Sequence, residues 1–238
     1  MMADQIWRVA RLPLPQRLLG KAMAWSFRLI GKDRYDDYRL EWIYGLPFMV
    51  TPSVFNPKVP RTGQFFASHL DSSLISTEAE VLDMGTGSGV CAVFAAQHAR
   101  RVLAVDINPA AVRCARVNAL LNDVEHKIEV RHGDLFEPVH GEQFDLILFN
   151  PPFVRGAPQD TRDGAWRSND VAERYAAGLR DHLKPGGIAL VVLSTFGDGQ
   201  LFLKEFHNQE FKIDAYAERR FVNERLTLFR LVPAQRPS

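Results

Sequence analysis

Hydrophobic and polar positions along this chain follow two rhythms. Short strand-like runs recur at 81–83, 102–105, 128–131, 144–149 and 188–193. Between them, at 90–100, from Asn108-Pro109 to about 121, at 170–183 and around 201–206, apolar residues return at helical spacing. Near the end, 211–217 and 226–232 alternate with period two, as an antiparallel hairpin does. This order predicts an α/β fold: a doubly wound, mostly parallel seven-stranded sheet with an antiparallel C-terminal hairpin.

The N-terminal quarter reads differently. From Pro15 to about Ile30, Leu18, Ala22, Trp25 and Leu29 share one helix side, and Arg17, Lys21, Arg28 and Lys32 form a stripe flanking it. Residues 35–61 are rich in aromatics and turn formers, among them Trp42, Tyr44, Gly45, Pro47 and Pro52, which suits short strands and turns. The expected division is therefore a basic helix with an aromatic and proline-rich cap at 1–62, followed by the main domain at 63–238.

Composition narrows the field only slightly. A chain of 238 residues with 46% hydrophobic and 24% charged residues supports one sizeable core, and a net charge of +1 names no polyanionic partner. The charge is uneven, however. Residues 1–34 carry seven basic side chains against two acidic ones, a net of +5, which leaves −4 on the rest. That stripe is either a solvated helix edge or a docking surface for nucleic acid, an acidic protein or anionic lipid. Cys91 and Cys114 lack metal-ligand spacing and read as buried free thiols in a reducing compartment. With no membrane-length apolar run and no leader-like start, the expected location is the cytoplasm.

Two stretches carry the chemistry. In VLDMGTGSGV at 81–90, a strand runs into Gly85, Gly87 and Gly89, where missing Cβ atoms let backbone approach a ligand. The spacing is G-x-G-x-G rather than the G-x-G-x-x-G of pyrophosphate-binding dinucleotide folds, which disfavours a nicotinamide oxidoreductase. Asp106 stands 21 residues beyond Gly85 at a strand tip, where a carboxylate accepts both hydroxyls of a ribose; Asn108 supplies the neighbouring helix cap and leaves Asp106 to the ligand. Asp134 either receives an adenine amino group or closes a turn.

The second stretch is Asn150-Pro151-Pro152-Phe153. Consecutive prolines stiffen the turn and keep the Pro151 carbonyl out of any helix. That carbonyl and the Asn150 side-chain oxygen are two acceptors able to converge on one NH2 group, and Phe153 offers a flat face to the planar system bearing it. The target is a conjugated nitrogen: a side-chain amide, an adenine N6 or a guanine N2.

The glycine loop resembles the first motif of the class I S-adenosylmethionine-dependent methyltransferases, and Asn150–Phe153 resembles the N-P-P-[FY] signature of amino-methyltransferases. Ala165-Trp166-Arg167, Lys184-Pro185-Gly186-Gly187 and Asn223-Glu224-Arg225-Leu226 are similar to the HemK family, which methylates glutamine in translation release factors. The likeness spans about residues 78–232. It implies S-adenosylmethionine as cofactor, held by Asp83, Gly85, Thr86, Gly87, Ser88, Gly89, Asp106, Ile107, Asp134, Leu135 and Asn150. It further implies catalysis at Asn150, Pro151, Pro152 and Phe153, no metal, and a protein glutamine as acceptor. Thr62, just upstream of the loop, would help cover the methionine end. Two departures stand out: many members carry Tyr at the position of Phe153, and the longer helical N-terminal domain of bacterial members is absent. An RNA or DNA adenine or guanine is the rival acceptor, and a non-catalytic cofactor-binding module the rival class.

Overall fold

The computed structural model describes residues 37–57, 61–152, 154–155, 167–168, 170–222 and 224–234; the amphipathic stretch at 15–30 and Phe153 lie outside them. The described chain opens with a two-stranded ribbon, β1 (Arg39–Ile43) and β2 (Leu46–Val50). Its two-residue loop, Tyr44-Gly45, has positive φ at both positions (47° and 85°), the mirror-image turn whose twist matches a hairpin.

The elements that follow are α1 (Thr62–Ala67), β3 (Glu80–Met84), α2 (Val90–Ala96), β4 (Arg101–Asp106), α3 (Pro109–Leu121), β5 (Ile128–His132) and β6 (Phe144–Phe149). After them come the short pair β7 (Val154–Arg155) and β8 (Arg167–Ser168), then α4 (Val171–Leu179), β9 (Leu183–Ser194), α5 (Gly199–Asn208), β10 (Phe211–Arg220) and β11 (Arg225–Pro233). Seven strands form one sheet in the order β10-β11-β9-β6-β3-β4-β5. The pairs β5–β4, β4–β3, β3–β6 and β6–β9 are parallel, and β11 runs against both neighbours. The predicted α/β class, the doubly wound sheet and the closing hairpin are all present.

Alternation along the strands builds two cores. Val81, Val102, Ala104, Leu146, Leu148 and Leu190 face α1, α2 and α3, whereas Leu82, Leu103, Val105, Ile147, Phe149 and Val191 face α4 and α5. On the second face Tyr175 is fully buried and its ring lies 4.2 Å from that of Phe149. Full burial of a ring such as Phe149 contributes roughly 1.5–3 kcal/mol.

Element ends differ from the pattern in three places, one of them β10, which runs on from 217 to Arg220. The helix expected over 90–100 stops at Ala96, because Ala99 and Arg100 must already return to the sheet, where the Arg100 amide donates to Ala79. The helix expected over 170–183 ends at Leu179 in a short 3-10 turn, and β9 starts at Leu183 instead of 188. A bulge around Lys184-Pro185-Gly186-Gly187 makes this extension fit: Phe144 pairs Leu183, yet Leu146 pairs Ile188.

Side chains on α3 and at its C-terminal end fasten the ribbon: the Asn122 amide donates to the Pro47 carbonyl (2.9 Å), the Cys114 thiol to the Met49 carbonyl (3.2 Å), and Asn118 makes the largest set of bonds. Asn118 on α3, fully buried, accepts from the Met49 amide (2.7 Å) and donates to the Met49 carbonyl (2.8 Å) and to the Ser88 carbonyl (2.8 Å). Ile43 and Phe48 of the ribbon join the core that contains α1 and α2. Among the described residues no helix is long and apolar enough to cross a membrane.

Candidate active site

The sheet reverses its winding between β3 and β6, and a ligand crevice opens at the C-terminal strand ends of such a switch point. Register aligns the expected residues there. Met84 pairs with Val105 on one side and Phe149 on the other, so the next residues of three adjacent strands, Asp106, Gly85 and Asn150, stand in a row. Neighbouring strands are about 4.8 Å apart, which puts the glycine turn directly beside Asn150.

Within the loop, Gly85, Gly87 and Gly89 all have positive φ (64°, 56° and 81°). A Cβ on Gly89 would meet the Ala115 backbone of α3 at 3.0 Å, so this glycine lets helix and loop close up. A Cβ on Gly87 would meet nothing within 4 Å. Gly87 therefore lines the open side, where a ligand can approach the backbone.

Asp83 sits underneath this loop, 4% exposed, its carboxylate accepting from the Thr86 hydroxyl (2.6 Å) and the Ala92 amide (3.0 Å). Burial, reinforced by the negative charge of Asp106, pushes its carboxyl up to about 7 against the pull of those two donors. Ser88 is buried as well, and the Thr86 amide donates to the Val105 carbonyl at 3.0 Å.

Asp106 reaches back to the loop. Its Oδ2 accepts from the Gly87 amide at 2.8 Å and its Oδ1 from the Asn108 amide at 2.8 Å; burial raises this carboxyl too. Asn108 does cap α3, accepting from the Ala110 amide at 2.9 Å with Pro109 next. The expectation that this leaves Asp106 unengaged needs correction: each oxygen already takes one backbone N–H. Because a carboxylate oxygen has two acceptor positions, one on each remains for a ligand.

Beyond Asp106 the chain exposes Ile107, at 61%, while the Ile107 carbonyl contacts the His132 ring at 2.9 Å. The Gly133 amide donates to the Asp106 carbonyl at 3.1 Å, which ties the loop after β5 to the same place. There Leu135 has φ 48° and packs partly on the second core. Asp134 is half-buried and accepts from Arg174 of α4 at 2.6 Å, a partner 40 residues away that no local pattern announces.

Asn150 ends β6. Its Nδ2 donates to the hydroxyl of the fully buried Thr62 at 3.3 Å, and its Oδ1 is buried with no hydrogen-bond partner among the described residues. A buried amide oxygen left unpaired is destabilising by about 1–3 kcal/mol, so the position is one that an incoming donor relieves. Pro151 and Pro152 follow and share a cleft with Ser194, Gly197 and Phe202. Thr62, expected only to help cover the methionine end of the cofactor, holds Asn150, a contact that motif spacing did not announce, and the structuring role of Asn118 was missed. For Asn118 the available signal was a polar residue on the buried side of an otherwise apolar helix face.

Residues 45–217 match the family described as Methyltransferase small domain. The chain belongs to that family. Among relatives of this methyltransferase small domain, a release factor glutamine methyltransferase of Aliivibrio fischeri is 30% identical over 231 residues, covering 90% of this chain and 76% of its own. One of the same name from Koribacter versatilis is 37% identical over 160 residues, covering 60% of this chain and 56% of its own. A putative protein N5-glutamine methyltransferase of Methanocaldococcus jannaschii is 32% identical over 147 residues, covering 58% and 73%. This chain thus spans between about half and three quarters of these relatives' lengths. A tRNA m1G37 methyltransferase structure from M. jannaschii superposes with a TM-score of 0.60 at 20% identity, over 83% of this chain and 57% of that one, a likeness of fold.

Proposed function

We propose that this protein transfers a methyl group from S-adenosylmethionine to the side-chain amide nitrogen of a glutamine in a protein. The observation that carries this reading is the buried, unpartnered Asn150 Oδ1, one strand over from the glycine turn. The names of the Aliivibrio, Koribacter and Methanocaldococcus relatives support glutamine as the acceptor.

In this reading, the loop from Gly85 to Gly89, opened at Gly87, receives the amino-acid part of the cofactor. The remaining acceptor positions of Asp106 take the ribose hydroxyls. Ile107 and Leu135 flank the adenine, and Asp134 shares its carboxylate between the adenine amino group and Arg174. Asp83, Thr86 and Ser88 hold the loop's shape from beneath. Bound there, the cofactor supplies a methyl on a positively charged sulfur.

The acceptor nitrogen is a weak nucleophile because its lone pair is spread into the carbonyl. Asn150 Oδ1 and the Pro151 carbonyl each accept one of its two N–H groups, which fixes the NH2 plane and favours the positive charge growing on nitrogen. Positioning of this type is worth up to about 7–11 kcal/mol in well-aligned systems. Pro152 keeps the Pro151 carbonyl extended, and an aromatic residue such as Phe153 suits the planar amide. Release factors, the acceptors in the names of the Aliivibrio and Koribacter relatives, support the cytoplasm as the place of action.

The test is to incubate the protein with tritium-labelled cofactor and, separately, purified release factor, ribosomal protein and total RNA, then map the product by mass spectrometry. A single added methyl on a glutamine nitrogen is the expected result. Label confined to RNA would sink glutamine as the acceptor.

A further inference from the structure

The tip of the β10–β11 hairpin comes to the edge of the candidate active site. There the Phe221 amide donates to the Glu224 carbonyl at 2.7 Å, and Glu224 accepts from Ser194 (2.6 Å), which lines the cleft with Pro151 and Pro152. The Phe221 ring rests on the core at that tip. Two guanidinium groups lie over it, Arg61 at 4.9 Å and Arg219 at 5.4 Å from the ring centre. Their carbons are thus no farther apart than the sum of those distances. Arg61 is the residue before Thr62, which touches Asn150.

Most neighbouring cations are already matched. Arg220 holds Glu218 at 2.6 Å, and Arg225 approaches the same carboxylate at 3.7 Å. Arg174 is bound to Asp134. Arg61 and Arg219 are exposed and form no ion pair within 4 Å among the described residues, although the Arg61 charge is close enough to act on the Glu224 carboxylate; Arg219 is the less matched of the two. Stacking on the ring restrains their planar forks, so less side-chain freedom is lost when an anion arrives.

We propose that Arg61 and Arg219, braced on Phe221, grip a carboxylate-bearing stretch of the acceptor polypeptide beside the glutamine that enters at Asn150. This rests on the glutamine reading above. Two forks suit one or two carboxylates, whereas a nucleic-acid backbone draws on a long cationic track. The ring, occupied by guanidinium and core, is not offered to a base, which also favours a polypeptide over RNA.

Fluorescence anisotropy with three labelled probes tests it: a peptide with one glutamine flanked by glutamates, the same peptide with alanines, and a single-stranded RNA of similar length. The glutamate peptide should bind the full chain about tenfold more tightly than the alanine peptide. Arg219→Gln should weaken glutamate-peptide binding by roughly three- to fivefold, the range of one solvent-facing ion pair. Arg113→Gln, which removes the same charge from the exposed side of α3, should leave it unchanged. The proposal is overturned if Arg219→Gln binds like the parent, if both variants lose equally, or if only RNA binds and Arg219→Gln weakens that. Assaying the parent for glutamine methylation on the same peptides and on release factor separates the two ideas: no methylated glutamine together with an intact Arg219 effect defeats the function and leaves the cradle standing.

Discussion

Asn150 and Thr62, 88 residues apart in the chain, meet at 3.3 Å, with the Asn150 Nδ2 donating to the Thr62 hydroxyl. With Nδ2 held by the buried hydroxyl, Oδ1 is the end left unpaired. Thr62 is thus a positioning residue. Thr62→Val keeps the shape and removes the acceptor, so kcat should fall about tenfold, the worth of one hydrogen bond, while cofactor affinity by calorimetry stays as it was. Thr62→Ser should restore most of the rate. A Val variant with full kcat would show that the amide needs no such anchor.

The three loop glycines should separate stability from binding. Gly89→Ala drives a methyl into the Ala115 backbone at 3.0 Å and strains a φ of 81°, so its melting temperature should drop by several degrees. Gly87→Ala meets open space, with a strain of only about 1–2 kcal/mol, and should instead lose cofactor affinity, because the methyl takes room meant for the ligand. Thermal melts paired with cofactor titration distinguish the two.

Asp83 predicts a pH signature. Its carboxyl is raised to about 7 in the folded protein from an ordinary value near 3.8, so the folded state binds the proton more tightly than the unfolded chain does. Stability from this group is fully present below about pH 4 and is lost as pH rises toward 7. Asp83→Asn removes the titration and can still accept a hydrogen bond. The variant's stability relative to the parent, from urea unfolding, should therefore climb between pH 4 and 7 and level off above, by at most about 4 kcal/mol. A difference that is flat across that range would mean Asp83 titrates normally.

Asn118 joins ribbon, helix and loop. Asn118→Leu would strand the Met49 amide, take a donor from the Ser88 carbonyl and leave the Met49 carbonyl with the Cys114 thiol, and a loss of roughly 2–4 kcal/mol is expected in chemical unfolding. Hydrogen exchange at Met49 should accelerate in the same variant. Unchanged protection there would show that β2 does not depend on the amide.

How much of this was legible beforehand follows from the range of each interaction. Gly85, Asp106 and Asn150 could be found in sequence because each sits at the end of a strand whose apolar run is local, and parallel pairing then sets the three side by side. Thr62–Asn150, Asn118–Met49 and Arg174–Asp134 span 88, 69 and 40 residues, and no periodicity encodes such meetings. The engagement of both Asp106 oxygens was hidden for a related reason. Its partner Gly87 donates from backbone, and every residue type except proline carries that group. The late start predicted for β9 reflects Pro185 and Gly186, which read locally as a break and are absorbed by a bulge.

The Asn150 oxygen receives the acceptor amine, and this is measured most directly with Asn150→Ala, assayed for kcat on the unmethylated acceptor protein and, separately, for cofactor binding by calorimetry. The expected result is a fall in kcat of a hundredfold or more, about 3 kcal/mol, with cofactor affinity changed by less than about threefold. A variant that turns over at the parent's rate, or one that loses rate only because it no longer binds cofactor, would contradict it.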